Sequence, residues 1–357
     1  MAFLFSVNVI INLCPLVVAA ALSSSSLPKN QSVPAVIIFG DSIVDTGNNN
    51  YIPTFMRCDF YPYGRDFKGG KSTGRFSNGK IPSDIFAEWF GVKEFLPPYL
   101  DPNLQIQDLL TGVSFASAGS GYDPLTPKLL SVISLADQLR MFKEYTKKLK
   151  EAVSEERTAQ ILAQSIFILC LGSNDISVTY YLTPFRRIQY DSDEYTSILA
   201  NISLSLQQEL YQLGARRIGV MNVAPVGCVS LQRTLFGGLW RRCVKSENQL
   251  TQIFNSKLSS GMNDLRKRLP DAKLVYLDIY NAVDEIVKNP AKYGFQSAAE
   301  TCCGFLNIEL GLLCNMFQVK VCKNPSEYVF WDSYHPTKRA YTVIAEEVLS
   351  KTIDEFF

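Results

Sequence analysis

Five short apolar runs, at residues 35–39, 113–116, 165–171, 217–223 and 273–278, are separated by segments whose apolar residues recur at helical spacing. A strand with apolar side chains on both faces needs cover on both sides, and strands joined through helices can only run parallel. The pattern predicts βαβ units and a three-layer α/β/α sandwich. Helices are expected over 81–90, 191–213 and 245–268, with a last one opening at Pro336. Leu135, Leu139, Phe142, Tyr145 and Leu149 share one helical face with lysines between them, which reads as an amphipathic helix rather than a basic binding patch.

In such sheets ligands bind beyond the carboxyl ends of the strands. The first run ends in Gly40-Asp41-Ser42, which places a hydroxyl at that edge. Gly-Asp-Ser alone is more often a helix cap than a nucleophile, and serine needs a base to take its proton. The chain has one histidine, His335, with Asp332 three residues before it. By itself a single histidine is usually a surface or capping residue. At this spacing, in a turn entering a helix, the carboxylate can reach Nδ1 and leave Nε2 for Ser42. The run at 165–171 ends in Gly172-Ser173-Asn174-Asp175, so the Asn174 amide reaches the same edge, and the small-residue turn 117–121 brings backbone close to it. Both are candidate donors to an oxyanion.

Gly40-Asp41-Ser42, Gly119 in its turn, Gly172-x-Asn174-Asp175 and Asp332-x-x-His335 resemble the four blocks of the SGNH, or GDSL, hydrolase superfamily. The chain from about residue 34 onward is similar to the plant GDSL esterase/lipases, and to their extracellular lipase-like subgroup on segments 60–67, 73–79 and 329–332. The resemblance implies a flavodoxin-like fold with a mainly parallel five-stranded sheet. It makes Ser42 the nucleophile, His335 the base and Asp332 its orienting acid. The oxyanion hole would comprise the amides of Ser42 and Gly119 and the side chain of Asn174. The second block departs from the family's Asn-Phe-Ala-Ser-Gly-Gly, with Ser114 for Asn and Ala118 for the first Gly, so the donor is aligned with the retained Gly119. A secreted serine esterase or lipase acting on acyl or lipid esters is expected, with an acyl-enzyme intermediate and no cofactor or metal. The alternatives are an acyltransferase using the same triad and a catalytically silent ester- or glycan-binding protein.

Residues 1–21 read as a signal peptide, an apolar run followed by Ala19-Ala20-Ala21, although no lysine or arginine precedes the run; a retained anchor is the alternative. Residues 22–33 form a short segment and 34–357 one domain. Asn30 and Asn201 stand in glycosylation sequons. Of nine cysteines, Cys14 lies in the leader, and Cys228 and Cys243 are expected to pair. Cys302, Cys303, Cys314 and Cys322 cluster before the His335 motif, as bridges restraining that loop or, less in keeping with their spacing, a zinc knuckle. Cys170 is read as a buried thiol and Cys58 is unassigned. Tyr61, Tyr63, Phe76 and Trp331 have two readings of equal weight, an acyl groove or core aromatics. With 35 basic against 34 acidic residues the chain has no electrostatic footprint for nucleic acid. An extracellular monomer, in the plant apoplast or cell wall, meeting an ester substrate is the expectation.

Overall fold

The computed structural model describes residues 31–304, 314 and 320–357. The leader and Asn30 lie outside the described residues. Strands β1 (Val36–Gly40), β2 (Ile166–Cys170), β3 (Arg217–Met221) and β4 (Lys273–Leu277) form a parallel sheet in that order. The register pairs Val36 with Ile166, Ile166 with Arg217, and Arg217 with Lys273.

The strand alternation sorts side chains between two cores. Ile37, Phe39, Phe167, Leu169, Ile218, Val220 and Leu274 face one cluster, which contains Leu139, Phe142, Leu206, Phe254 and Leu258. These come from helices Leu135–Val153, Ser192–Gln212 and Lys245–Arg268. Val36, Ile38, Ile166, Ile168, Val275 and Leu277 face the other, with Ile85, Phe86, Ile286, Ile344 and Val348. Those belong to helices Pro82–Trp89, Ile279–Lys288 and Lys338–Thr352.

Two expectations are corrected. Residues 113–116 do not form a regular strand; Ser114 makes isolated parallel bridges to Ile38 and to Pro98. The segment still runs beside β1, accepting from Ile38 N at 3.2 Å through Val113 O and donating Phe115 N to Ile38 O at 2.7 Å. A fifth position at the sheet edge is therefore occupied by irregular backbone. Its neighbour on the outer side, residues 97–99, includes two prolines, which lack the donors for a continued ladder. The last helix opens at Lys338 with Thr337 as its cap, whose hydroxyl accepts from Ala340 N. Pro336 is instead bridged to Phe330.

The helix after β2 matches more closely. Asp191 accepts from Asp193 N and Glu194 N while Glu194 accepts from Asp191 N, a reciprocal cap that starts it. Asn201 is exposed on this helix. Cys228 pairs with Cys243, Cys302 with Cys322 and Cys303 with Cys314, so the four clustered cysteines are bridges and not a metal site. Cys58 and Cys170 are buried and, among the described residues, unpaired. Beyond the sheet, β5 (Ser297–Thr301) pairs with β8 (Tyr328–Phe330) and β6 (Cys303–Gly304) with β7 (Lys320–Val321), and together with the bridges they brace the segment that carries His335.

Candidate active site

Ser42 follows β1 at the carboxyl edge and is 7% exposed. The backbone packs tightly just before it. A Cβ on Gly40 would stand 2.5 Å from Cys170 O, so the close approach of β1 and β2 there requires glycine. Gln138 reaches the same residue from the helix layer, accepting from Gly40 N and donating to Gly40 O, both at 2.9 Å.

His335 comes from the other end of the chain. Its Nε2 is 2.7 Å from Ser42 Oγ, and its Nδ1 is 2.9 Å from each oxygen of Asp332. Asp332 Oδ1 also accepts from the N–H of Tyr334 and of His335, and Oδ2 accepts from the Tyr63 hydroxyl at 2.7 Å. Burial alone would raise the Asp332 pKa, but the His335 charge and hydrogen bond, with the two N–H donors, hold it below the ordinary carboxylate value. The imidazole is stacked obliquely on Phe76, with centroids 4.8 Å apart.

The loops that could receive a substrate oxygen are held by side chains of the segment after Ser42. Asp45 accepts from Gly47 N, Asn48 N and Ala118 N. Asn48 donates to the carbonyls of Ser114 and Ala116, and Asn49 to that of Ala118. Gly119 lies in this clamped turn with φ of 87°, a conformation that favours glycine. The N–H groups of Ser42 and Gly119 make no hydrogen bond to protein among the described residues. The Asn174 amide donates to Ser120 O at 3.0 Å, which orients it and uses one of its two N–H groups. Asp175 accepts from Tyr122 N, Asp123 N and the Thr126 hydroxyl, tying the β2 loop to the same turn.

Three comparisons then place the chain. The model of the GDSL-like lipase/acylhydrolase family matches residues 36–348. The chain belongs to that family. A GDSL esterase/lipase of Arabidopsis thaliana, EXL3, is 49% identical over 335 residues, covering 94% of this chain and 92% of its own. A second Arabidopsis thaliana GDSL esterase/lipase, At3g14820, is 48% identical and covers 94% of each chain. Among solved structures, a catalytic mutant of the acetylxylan esterase Axe2 from Geobacillus stearothermophilus is a distant likeness. It has 13% identity and a TM-score of 0.40, with 91% of this chain and 96% of that one covered. As a member of the GDSL family the chain is a carboxylic ester hydrolase.

The sequence left the role of four aromatics at this GDSL site open and did not single out Gln138 or the Asp45–Asn49 cluster. Tyr63, Phe76 and Trp331 are buried and form one cluster beneath His335, so they are core aromatics and not groove walls; Tyr61 alone of the four is exposed. Tyr63 also holds Asp332, a role that nothing in its local sequence shows. Gln138 was missed, although a polar residue on the apolar stripe of its helix is a signal that could have found it. The Asp45–Asn49 cluster was missed as well; its signal is that such side chains commonly bind backbone in irregular segments.

Proposed function

We propose that the chain is a secreted serine esterase or lipase that cleaves acyl or lipid esters through a Ser42-His335-Asp332 triad and an acyl-enzyme intermediate. The observation that carries this reading is the unbroken contact from Ser42 Oγ through both nitrogens of His335 to Asp332. His335 takes the hydroxyl proton as Ser42 Oγ forms a bond to the ester carbonyl carbon. The N–H groups of Ser42 and Gly119 and the second N–H of Asn174 receive the developing oxyanion. His335 then gives its proton to the leaving alcohol as the ester C–O bond breaks, and water releases the acid by the same steps. Asp332 stays ionised and holds the ring's orientation. Secretion is supported by the apolar leader and by three disulfides among the described residues. The domain itself spans 34–357, with an exposed sequon at Asn201.

Hydrolysis of a short-chain aryl ester by purified Ser42→Ala protein tests the assignment. Loss of several orders of magnitude in turnover is expected, and turnover equal to wild type would overturn it. Asn174→Ala is expected to lower kcat about a hundred- to a thousand-fold. Product analysis with a competing alcohol present separates hydrolysis from acyl transfer.

A further inference from the structure

Among the described residues, several of the large apolar side chains exposed to water stand in segments that leave the carboxyl ends of the sheet strands. Phe55 follows β1, Phe185 and Ile188 follow β2, and Phe236, Leu239 and Trp240 follow β3. Leu239 is fully exposed and Trp240 is 80% exposed. The segment after β3 is tied into the site at its base, where Leu231 N donates to Ser333 O at 3.0 Å and Cys228 is bridged to Cys243. Gln232 further links it to Ser177 in the segment after β2. The two segments are therefore neighbours flanking the His335 loop.

Exposed arginine stands beside these apolar tips, at Arg187 and Arg242. Neither the stretch between Cys228 and Cys243 nor that from Ile176 to Tyr190 contains an acidic residue; Arg186 is ion-paired with Asp123 and Arg233 donates to the carbonyls of Arg241 and Ala298, which leaves Arg187 and Arg242 as the exposed arginines of the two loops. The chain as a whole is near neutral, at +1. Apolar tips with a tryptophan among adjacent arginines match a lipid surface, where the rings and leucine enter the acyl region and guanidinium groups meet phosphate. Water gives no such return for exposed leucine and tryptophan. A symmetric pairing with a second copy would set the same arginines against each other.

We propose that the loops Leu182–Ile188 and Leu235–Arg242 form an adsorption surface for an anionic lipid interface, which brings Ser42 to esters held there. Delivery to Ser42 rests on the esterase reading above, whereas adsorption does not, so the test is made on the Ser42→Ala protein. The probes are phosphatidylcholine vesicles with and without phosphatidylglycerol, read by flotation and by tryptophan emission. Trp240 is the most exposed of the three tryptophans; Trp331 is fully buried and Trp89 is half-buried. Adsorption stronger on the anionic vesicles, with a blue shift of emission, is expected. Leu239→Ser with Trp240→Ser should weaken partitioning at least about tenfold, and Arg187→Gln with Arg242→Gln should abolish the preference for anionic vesicles. Wild-type turnover of a soluble aryl ester should be unchanged by either pair of substitutions made in the active enzyme. Absence of vesicle binding, binding indifferent to both pairs, or a dimer broken by the Leu239/Trp240 pair would each overturn the proposal.

Discussion

Asp41 precedes Ser42 and Asp332 stands three residues before His335; both are buried, and their environments shift their pKa values in opposite directions. Asp41 accepts from Ile43 N through one oxygen, and its other oxygen has no hydrogen-bond partner among the described residues. Burial raises its pKa to about 7, which the Ile43 N–H and His335 only partly offset. Asp45, four residues on, accepts several backbone N–H groups and is still raised by burial to about 6. Asp332 has two N–H donors, the Tyr63 hydroxyl and the imidazole, and lies below the ordinary value. Neutral donors soften the penalty of burial. In Asp332 the facing imidazole reverses it, which keeps the charge where the proposed mechanism uses it.

Asp332→Asn against Asp41→Asn is the most severe test of that difference. The first is expected to lower kcat by about four orders of magnitude. The second, which retains an acceptor for Ile43 N, should stay within about tenfold of wild type. Equal losses in steady-state assays would erase the distinction.

Stability against pH sharpens it further. A carboxyl whose folded pKa is raised favours folding below its unfolded value of about 3.8, and that contribution is lost as pH rises through the folded pKa. Asp41, at about 7, and Asp45 and Asp175, at about 6, should therefore make the protein more stable as pH falls from about 7 toward 4. Asp332 acts in the opposite sense and only at lower pH, since its contribution disappears as pH drops through its lowered pKa. Asp41→Asn should flatten the rise between pH 7 and 5 by on the order of 2 kcal/mol, read from denaturant unfolding at each pH. An unchanged slope would mean that Asp41 is ionised in the folded protein.

Tyr63→Phe gives the smallest effect. Removing one donor from Asp332 is expected to lower kcat/KM roughly tenfold. It should also move the acid limb of the kcat/KM profile to higher pH, because a carboxylate with fewer donors attracts the imidazole proton more strongly. A uniform loss at all pH values would make Tyr63 a packing residue only.

The alternation of apolar runs and amphipathic helices was enough to read the layered parallel sheet, because a strand apolar on both faces has few ways to be covered. The helix at Lys245–Arg268 and the one ending before Gly214 were equally legible from periodicity and breakers. Strand 113–116 was misread because its composition suits a strand, whereas its pairing depends on residues 97–99, which only folding brings beside it. Ser42, Asp332 and His335 were candidates by residue type and spacing, but their distances were not in the sequence. Contacts such as Tyr63 to Asp332 and Gln138 to Gly40 span 269 and 98 residues. Local composition determines which elements form and which side chains can do chemistry. The charge on a buried carboxyl and the aim of a hydroxyl depend on partners far along the chain, and packing alone decides which partners those are.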